Sequence, residues 1–341
     1  MRKIFLTSAT FVLLLVCNVH ADGWWQVWFT HPNSSSRTTA ETPEPALVKA
    51  INDAKNSVYA AFYDLNSVPV TEALISAKRR GVDVKLVTDN SNYHNKQIGD
   101  LERGGVRVVS DNRKELMHNK FAVIDKKHVW TGSYNITKNG ENRNNNNAIM
   151  ITSPELAEIY LDEFKEMYEL KIFGNKYDPA PFSGMLNKHY VKISDTDINV
   201  FFSPEDNVEK QIIRKIAQAK SSVKFMAFSF TSMAISEAMI KKFKQGIQVQ
   251  GLFERRGANS ADSEFMKMNI ENIPVRLDGN RYAMHHKVII IDDSIVITGS
   301  YNFSKNAGKR NDENCLIIHN KDIAELYVKE FNALYAAGKE K

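Results

Sequence analysis

Apolar residues along this chain fall into two kinds of block. Residues 24–29, 58–63, 82–87 and 106–109 are short apolar runs rich in β-branched and aromatic side chains, the signature of strands. Residues 46–54, 70–80 and 95–103 instead repeat apolar positions at helical spacing. The second of these helices stops at Gly81 and the third at Gly104-Gly105. Strand and helix in alternation predict an α/β fold whose sheet is covered by helices. The order then returns. Residues 223–230 match 58–65, 235–244 match 70–79, and Gly246 falls where Gly81 does, a shift of 165. Late in each half, residues 155–164 (ELAEIYLDEF) and 322–331 (DIAELYVKEF) are one helix written twice. The expected fold is therefore two duplicated units, each a mixed β-sheet flanked by helices, related by a pseudo-two-fold axis. The units are expected over residues 22–173 and 195–341. A linker is expected over 174–194, where Pro179, Pro181 and Gly184 break the pattern.

Residues 1–21 carry a different pattern. Arg2 and Lys3 precede an apolar-biased stretch over 4–16, and the segment ends in the small residue Ala21. This is the layout of a secretory signal peptide, too short to span a bilayer comfortably, so export without a permanent anchor is expected. The net charge of +5 loses Arg2 and Lys3 on cleavage, leaving a mildly basic +3 that permits an anionic membrane or a nucleic acid as partner. Cleavage also leaves Cys315 alone, so a disulfide framework is excluded; its apolar neighbours predict a buried side chain.

The most specific feature is a stretch that occurs twice. Residues 117–139 read MHNKFAVIDKKHVWTGSYNITKN, and 284–306 read MHHKVIIIDDSIVITGSYNFSKN. From His118 to His285, Lys120 to Lys287, Asp125 to Asp292, Ser133 to Ser300 and Asn135 to Asn302 the shift is always 167. Relative to the earlier shift of 165, two residues are inserted in the second copy between Leu252 and Tyr282. The run after each His-x-Lys reads as a buried strand, on which alternate side chains share a face. His118 with Lys120, and His285 with Lys287, then point one way. Asp125, Asp292 and His286 point the other, which makes the aspartates supports and His286 a bystander. Two lysines and two asparagines suit the non-bridging oxygens of a phosphodiester. Two histidines supply a nucleophile and an acid.

These motifs resemble the phospholipase D superfamily, marked by two His-x-Lys-x4-Asp motifs followed by Gly-Ser-x-Asn. The resemblance covers nearly all of residues 22–341. It implies two phospholipase D-like units and a phosphodiesterase working through a covalent phosphohistidine, with neither metal nor cofactor. It implies His118 and His285 as the catalytic pair, Lys120, Lys287, Asn135 and Asn302 as phosphate ligands, and Ser133 and Ser300 as assistants. Members often place a Glu after the motif to buttress its histidine. Here Glu313 follows the second motif, and Asn146 stands at the matching place in the first. The expectation is that Glu313 holds His285 as general acid and leaves His118 as nucleophile. A monomer with an internal pseudo-dimer is expected. Phospholipid head groups are the favoured substrate, a metal-independent endonuclease is the alternative, and a non-catalytic phosphate-binding protein stands third. His128, His189 and His319 are read as structural, the run 144–147 as plain loop, the Trp24–Phe29 aromatics as strand core, and Arg255 with Arg256 as either substrate-loop or solvated residues.

Overall fold

The computed structural model describes residues 23–32, 42–174 and 189–340. The expected signal peptide and most of the expected linker lie outside the described residues. In the first half, β1 (Trp25–Phe29), α1 (Pro43–Asp53), β2 (Ser57–Phe62), α2 (Val68–Arg79), β3 (Asp83–Thr88), α3 (Lys96–Arg103) and β4 (Arg107–Ser110) come first. Then follow β5 (Lys120–Ile124), β6 (His128–Gly132), α4 (Lys138–Asn142), β7 (Asn144–Asn145), β8 (Asn147–Thr152) and α5 (Pro154–Lys165).

The second half opens with β9 (Tyr190–Ile193), β10 (Thr196–Ser203), α6 (Val208–Ala217), β11 (Ser222–Ala227), α7 (Met233–Lys244), β12 (Gln248–Phe253), α8 (Phe265–Ile270) and β13 (Val275–Leu277). It closes with β14 (Ala283–Met284), β15 (Lys287–Ile291), β16 (Ile295–Gly299), α9 (Lys305–Lys309), β17 (Glu313–His319) and α10 (Lys321–Ala337). The span read as linker is not irregular throughout, because β9 lies inside it and pairs with β10.

Each half builds one mixed sheet. The first is ordered β1-β8-β6-β5-β2-β3-β4 and the second β13-β12-β11-β15-β16-β17-β10-β9, the same order with one added edge strand. The parallel strands β2, β3 and β4 need helical crossovers, supplied by α2 and α3. Ser67 caps α2 by accepting a hydrogen bond from Val70 N at 3.2 Å, and Gly81 follows its end at φ +89°, a conformation that costs glycine little.

The antiparallel side starts with the hairpin β5–β6, whose turn puts Asp125 and Lys126 at φ 52° and 54°. Asp292 and Asp293 do the same between β15 and β16 at 53° and 49°. Positive φ at two successive positions matches the twist of the flanking strands, and Asp tolerates it better than most residues. The Asp125 carboxylate accepts backbone N–H groups of Lys55, Asn56 and Ser57 at 2.9, 2.6 and 2.9 Å, and Asp292 does so for Lys220, Ser221 and Ser222. These aspartates tie each hairpin to the start of the neighbouring strand.

Helices α1–α3 cover the outer face of the first sheet through Leu47, Ile51, Leu74 and Leu101, and α6–α8 cover the second through Ile212, Ile216, Met239 and Phe265. The inner faces share one core. Val123 and Ile149 of the first sheet, and Val288 and Val296 of the second, belong to the same cluster as Tyr160 and Phe164 of α5 and Tyr327 and Phe331 of α10. Burial of this common apolar surface fixes the two halves against each other. The aromatic first strand belongs to the packing, as expected: Trp25 is buried, Trp28 stacks on Trp130 at 5.1 Å, and Phe29 meets Tyr327 edge-on at 5.2 Å.

The seam carries the pseudo-two-fold in its hydrogen bonds. Strand β7 pairs in parallel with β14 across it, and Met117 bridges to Asp312 in the same sense. His118 N donates to Asp312 O, and His285 N donates to Asn145 O, both at 2.9 Å. Each motif histidine is thus held by the backbone of the other half.

Candidate active site

Lys120 opens β5 and Lys287 opens β15, with His118 and His285 two residues before them. All four side chains are buried at the seam. Lys120 Nζ donates to His118 O at 2.7 Å, and Lys287 Nζ to His285 O at 2.9 Å, so each lysine is folded back on its own histidine. The Tyr63 ring lies 4.8 Å from His118 and the Phe228 ring 4.5 Å from His285, and each also takes the neighbouring lysine on its face, at 4.9 and 4.7 Å.

The support of the histidines is crossed. The expectation that Glu313 holds His285 is overturned: His118 Nδ1 donates to Glu313 Oε2 at 2.7 Å. His285 Nδ1 instead meets Asn146 Oδ1 at 2.8 Å, with Ser133 O at 3.1 Å. Asn146 Nδ2 donates to Gly140 O at 3.0 Å, which fixes the amide oxygen toward the ring. The reason is the seam. Glu313 opens β17 beside Asp312, which bridges to Met117, so its side chain reaches the opposite motif.

Ser300 Oγ donates to Glu313 Oε2 at 2.7 Å, and Ser133 Oγ to Asn146 Oδ1 at 3.1 Å, so both motif serines hold a buttress. The run 144–147 is therefore not plain loop. It supplies β7, the amide behind His285, and in Asn147 a residue that also crosses.

Asn147 Oδ1 accepts from Thr298 Oγ1 at 2.8 Å and Tyr327 OH at 3.2 Å, and its Nδ2 lies 3.0 Å from His286 Nδ1. Asn314, 167 residues on, repeats this with Thr131, Tyr160 and Asn119 at 2.7, 3.4 and 2.9 Å. His286 does face away from its neighbour His285, but it is no bystander. It joins Asn147 to Glu330, which lies 3.2 Å from its Nε2. Asn146 stands at the buttress position that the sequence marks, while sequence reasoning missed Asn147 and Asn314, although the polar pairs Asn147/Asn314, Thr131/Thr298 and Tyr160/Tyr327 keep the same shift of 167.

Electrostatics follow from burial. Desolvation pushes His118 well below the usual imidazole value, and the charges of Lys120 and Lys287 add to this. His285 is pushed down for the same reasons. Burial brings Lys120 down to about 7, with Glu313 opposing, and brings Lys287 well below the lysine range. Glu313 is pushed up to about 7 by burial, against the pull of Lys120.

The resting hydrogen bonds differ at Nε2 as well as at Nδ1. Lys287 Nζ lies 3.1 Å from His285 Nε2 and engages its lone pair. Lys120 makes no matching contact with His118 Nε2, whose ring is anchored through Nδ1 alone.

Asn135 lies with His285 in a cleft of about 390 Å³ that also includes Arg143, Phe228, Arg256 and Tyr282. The Oδ1 atoms of Asn135 and Asn302 are buried without hydrogen-bond partners. His128 meets Thr152 Oγ1 at 2.8 Å, His319 meets Lys215 at 3.0 Å, and His189 lies 3.4 Å from Asp206, contacts that involve none of the motif histidines and lysines. Cys315 is buried, and burial pushes its thiol up. Among the described residues no three His, Cys, Asp or Glu side chains are grouped to hold a metal ion.

A profile of the family described as "Cardiolipin synthase, PLD-like domain" matches residues 47–168 and again 212–335. A phospholipase D of Rickettsia bellii is 38% identical over 136 residues, 38% of this chain and 68% of that protein. The mitochondrial cardiolipin hydrolase of Mus musculus is 30% identical over 152 residues, covering 44% of this chain and 66% of that protein. Among solved structures, the phosphatidylserine synthase of Haemophilus influenzae Rd KW20 matches with a TM-score of 0.67 at 16% identity, over 94% of this chain and 88% of that one. At that identity the likeness concerns the fold.

Proposed function

The chain belongs to the phospholipase D superfamily and is a phosphodiesterase of that type; from this premise we propose that it hydrolyses the head-group ester of phospholipids through a phosphohistidine on His118. The observation that carries the role assignment is the unequal setting of the two rings. His118 donates from Nδ1 to a carboxylate and keeps Nε2 for phosphorus, whereas the Nε2 lone pair of His285 is engaged by Lys287.

In the first step the His118 Nε2 lone pair attacks phosphorus and the bond from phosphorus to the head-group oxygen breaks. The ring becomes cationic, and Glu313 at 2.7 Å offsets that charge. His285 protonates the departing oxygen from Nε2. The free site holds His285 neutral, because burial and two lysine charges disfavour the imidazolium. A bound diester brings a negative charge against those lysines and raises His285 enough to load the proton. In the second step neutral His285 takes a proton from water as its oxygen attacks phosphorus. The nitrogen–phosphorus bond breaks, and phosphatidic acid leaves. Lys120, Lys287 and the amides of Asn135 and Asn302 bind the non-bridging oxygens throughout.

The relatives named phospholipase D and cardiolipin hydrolase support a lipid diester as substrate. The basic and apolar pattern of residues 2–16 supports export, so the enzyme would meet lipid outside the cytoplasm. One experiment addresses substrate and mechanism together. Purified protein is incubated in EDTA with labelled phospholipid vesicles and with plasmid DNA, quenched in alkali, and digested for peptide mapping. Label from the phosphatidyl part on the His118 peptide, as a glycerophosphoryl adduct after alkali, is expected together with consumption of lipid. Label on His285 sinks the role assignment, and nicked plasmid beside untouched lipid sinks the substrate. Export is checked by sequencing the secreted protein, which is expected to begin at Asp22.

A further inference from the structure

The two ends of the active-site cleft carry different charge, and this bears on which head group leaves. At the His285 end, the loop after β12 supplies Arg255 and Arg256, where the loop after β3 offers Asn90 and Ser91. Tyr282 stands 167 residues from Glu115, so an aromatic ring replaces a carboxylate. Arg143 has Arg310 as its counterpart at the same shift. Arg113 stands where Asn280 does, but its guanidinium is paired with the buried Asp312, so the His285 end is the more basic of the two.

The basic side chains are held in place. Asn280, buried to 4% exposure, donates from Nδ2 to Arg143 O at 2.9 Å and to Ala283 O at 3.0 Å. Its Oδ1 accepts from Tyr282 N at 2.9 Å. One buried amide thus fixes the Tyr282 loop against the segment that bears Arg143. The Arg143 guanidinium lies over the Tyr282 ring at 5.0 Å. Arg256 is braced through Nε by Glu254 Oε1 at 2.6 Å, and Glu254 is itself buried. That contact uses Nε and leaves the two terminal NH2 groups of Arg256 for a ligand. Both arginines line the cleft that contains His285 and Asn135.

An aromatic pair beside a phosphodiester site could instead suggest a cage for a quaternary ammonium. Here both rings already face protein cations. Lys287 lies over Phe228 at 4.7 Å, and Tyr282 has Arg143 at 5.0 Å and Arg281 at 6.0 Å. A choline head group would compete with those cations for the ring faces and sit beside like charge.

We propose that Arg143 and Arg256 form a leaving-group subsite that selects phospholipids whose head group carries a second phosphate. The inference rests on the reading that His285 protonates the departing oxygen, which puts the head group at this end. Two guanidiniums match a phosphate in charge and in donor geometry, and they favour an anionic leaving group over a cationic one.

The test uses short-chain dihexanoyl lipids below their micelle concentration, so that attraction to a charged surface does not enter. Substrates with glycerophosphate and choline head groups are compared by kcat/KM in wild type, R143Q/R256Q and R310Q. The glycerophosphate lipid is expected to be favoured in wild type by about tenfold or more. The preference is expected to fall to about unity in R143Q/R256Q and to stay in R310Q. An unchanged preference in R143Q/R256Q, or a wild-type preference for choline, overturns the subsite.

Binding of glycerol 3-phosphate, followed by calorimetry, reads the subsite without turnover. Roughly tenfold weaker binding by R143Q/R256Q supports it even if lipid hydrolysis fails, and equal binding overturns it. If only plasmid DNA is cut, and the double variant cuts it more slowly, the second phosphate belongs to a polynucleotide and the lipid assignment falls.

Discussion

His118 and His285 stand at matching positions of two repeated units, each followed by the same lysine and held by a backbone oxygen of the opposite half. Behind His118 lies the Glu313 carboxylate, and behind His285 the Asn146 amide. A carboxylate stabilises positive charge on the ring in front of it; an amide orients the ring but adds no charge. On the proposed mechanism this one backbone frame would serve both a histidine that becomes cationic on bonding to phosphorus and one that releases a proton. Duplication supplies the frame, and the side chain behind each ring is where the two copies differ.

The largest expected effect breaks the pair apart. His118→Ala should lose about 10⁴-fold or more in kcat on every diester, because the nucleophile is gone. In the first, leaving-group-releasing step, read as a single-turnover burst, His285→Ala should lose about 10³-fold on a phospholipid but only about tenfold on bis(p-nitrophenyl) phosphate, whose leaving group needs little protonation; the water step slows for both. Equal losses for both variants on both substrates would refute the division of labour.

Next comes the carboxylate itself. Glu313→Gln should lower kcat by about 10²-fold, since the cationic ring is left without its counter-charge. The pH profile gives the sign. Glu313 acts as an anion and is held up to about 7, so activity should rise as pH rises through about 7. Lys120 acts as a cation and is held down to about 7, so activity should fall again as its proton leaves. A narrow bell near neutrality is expected for the free enzyme, with the acid limb missing in Glu313→Gln and the alkaline limb displaced upward in Lys120→Arg. An acid limb that survives Glu313→Gln would assign it to another group.

A smaller change moves the two halves toward each other. Asn146→Glu places a carboxylate behind His285 and should raise its pKa, shifting the His285-dependent limb of single-turnover rates to higher pH by about one unit. No shift would mean that the amide position does not tune the ring. Finally, the two crossing asparagines should behave alike. Asn147→Ala and Asn314→Ala each strip partners from a buried Thr and Tyr across the seam, and each should cost about 1–3 kcal/mol in urea denaturation. A large disparity would break the equivalence of the two seams.

Much of the fold was legible because hydrophobic period and the repeat agreed. Apolar spacing places helix α2 over 70–80, and it runs Val68–Arg79; it starts earlier because Ser67 caps it and Pro69 fits its first turn. The repeated segment places helix α10 over 322–331, and it continues to Ala337, where Leu334 and Tyr335 still pack on the core. Strand β9 escaped notice inside the expected linker, since two of its four residues are exposed and its apolar signal is weak.

The inventory of the site was also readable. Two His-x-Lys motifs and their asparagines needed no coordinates, because a fixed shift between complete motifs is visible in one dimension, and strand alternation brought each His and Lys to one face. Which buttress serves which histidine was decided only in three dimensions. Glu313 is far nearer to His285 along the chain, yet it bonds to His118, 195 residues away. Sequence distance favours the local partner. The seam between β17 and the opposite motif favours the distant one, and apolar burial shared by both sheets forms that seam. The motif residues gathered at this candidate site could be named from the sequence; their pairing is a property of how the two halves meet.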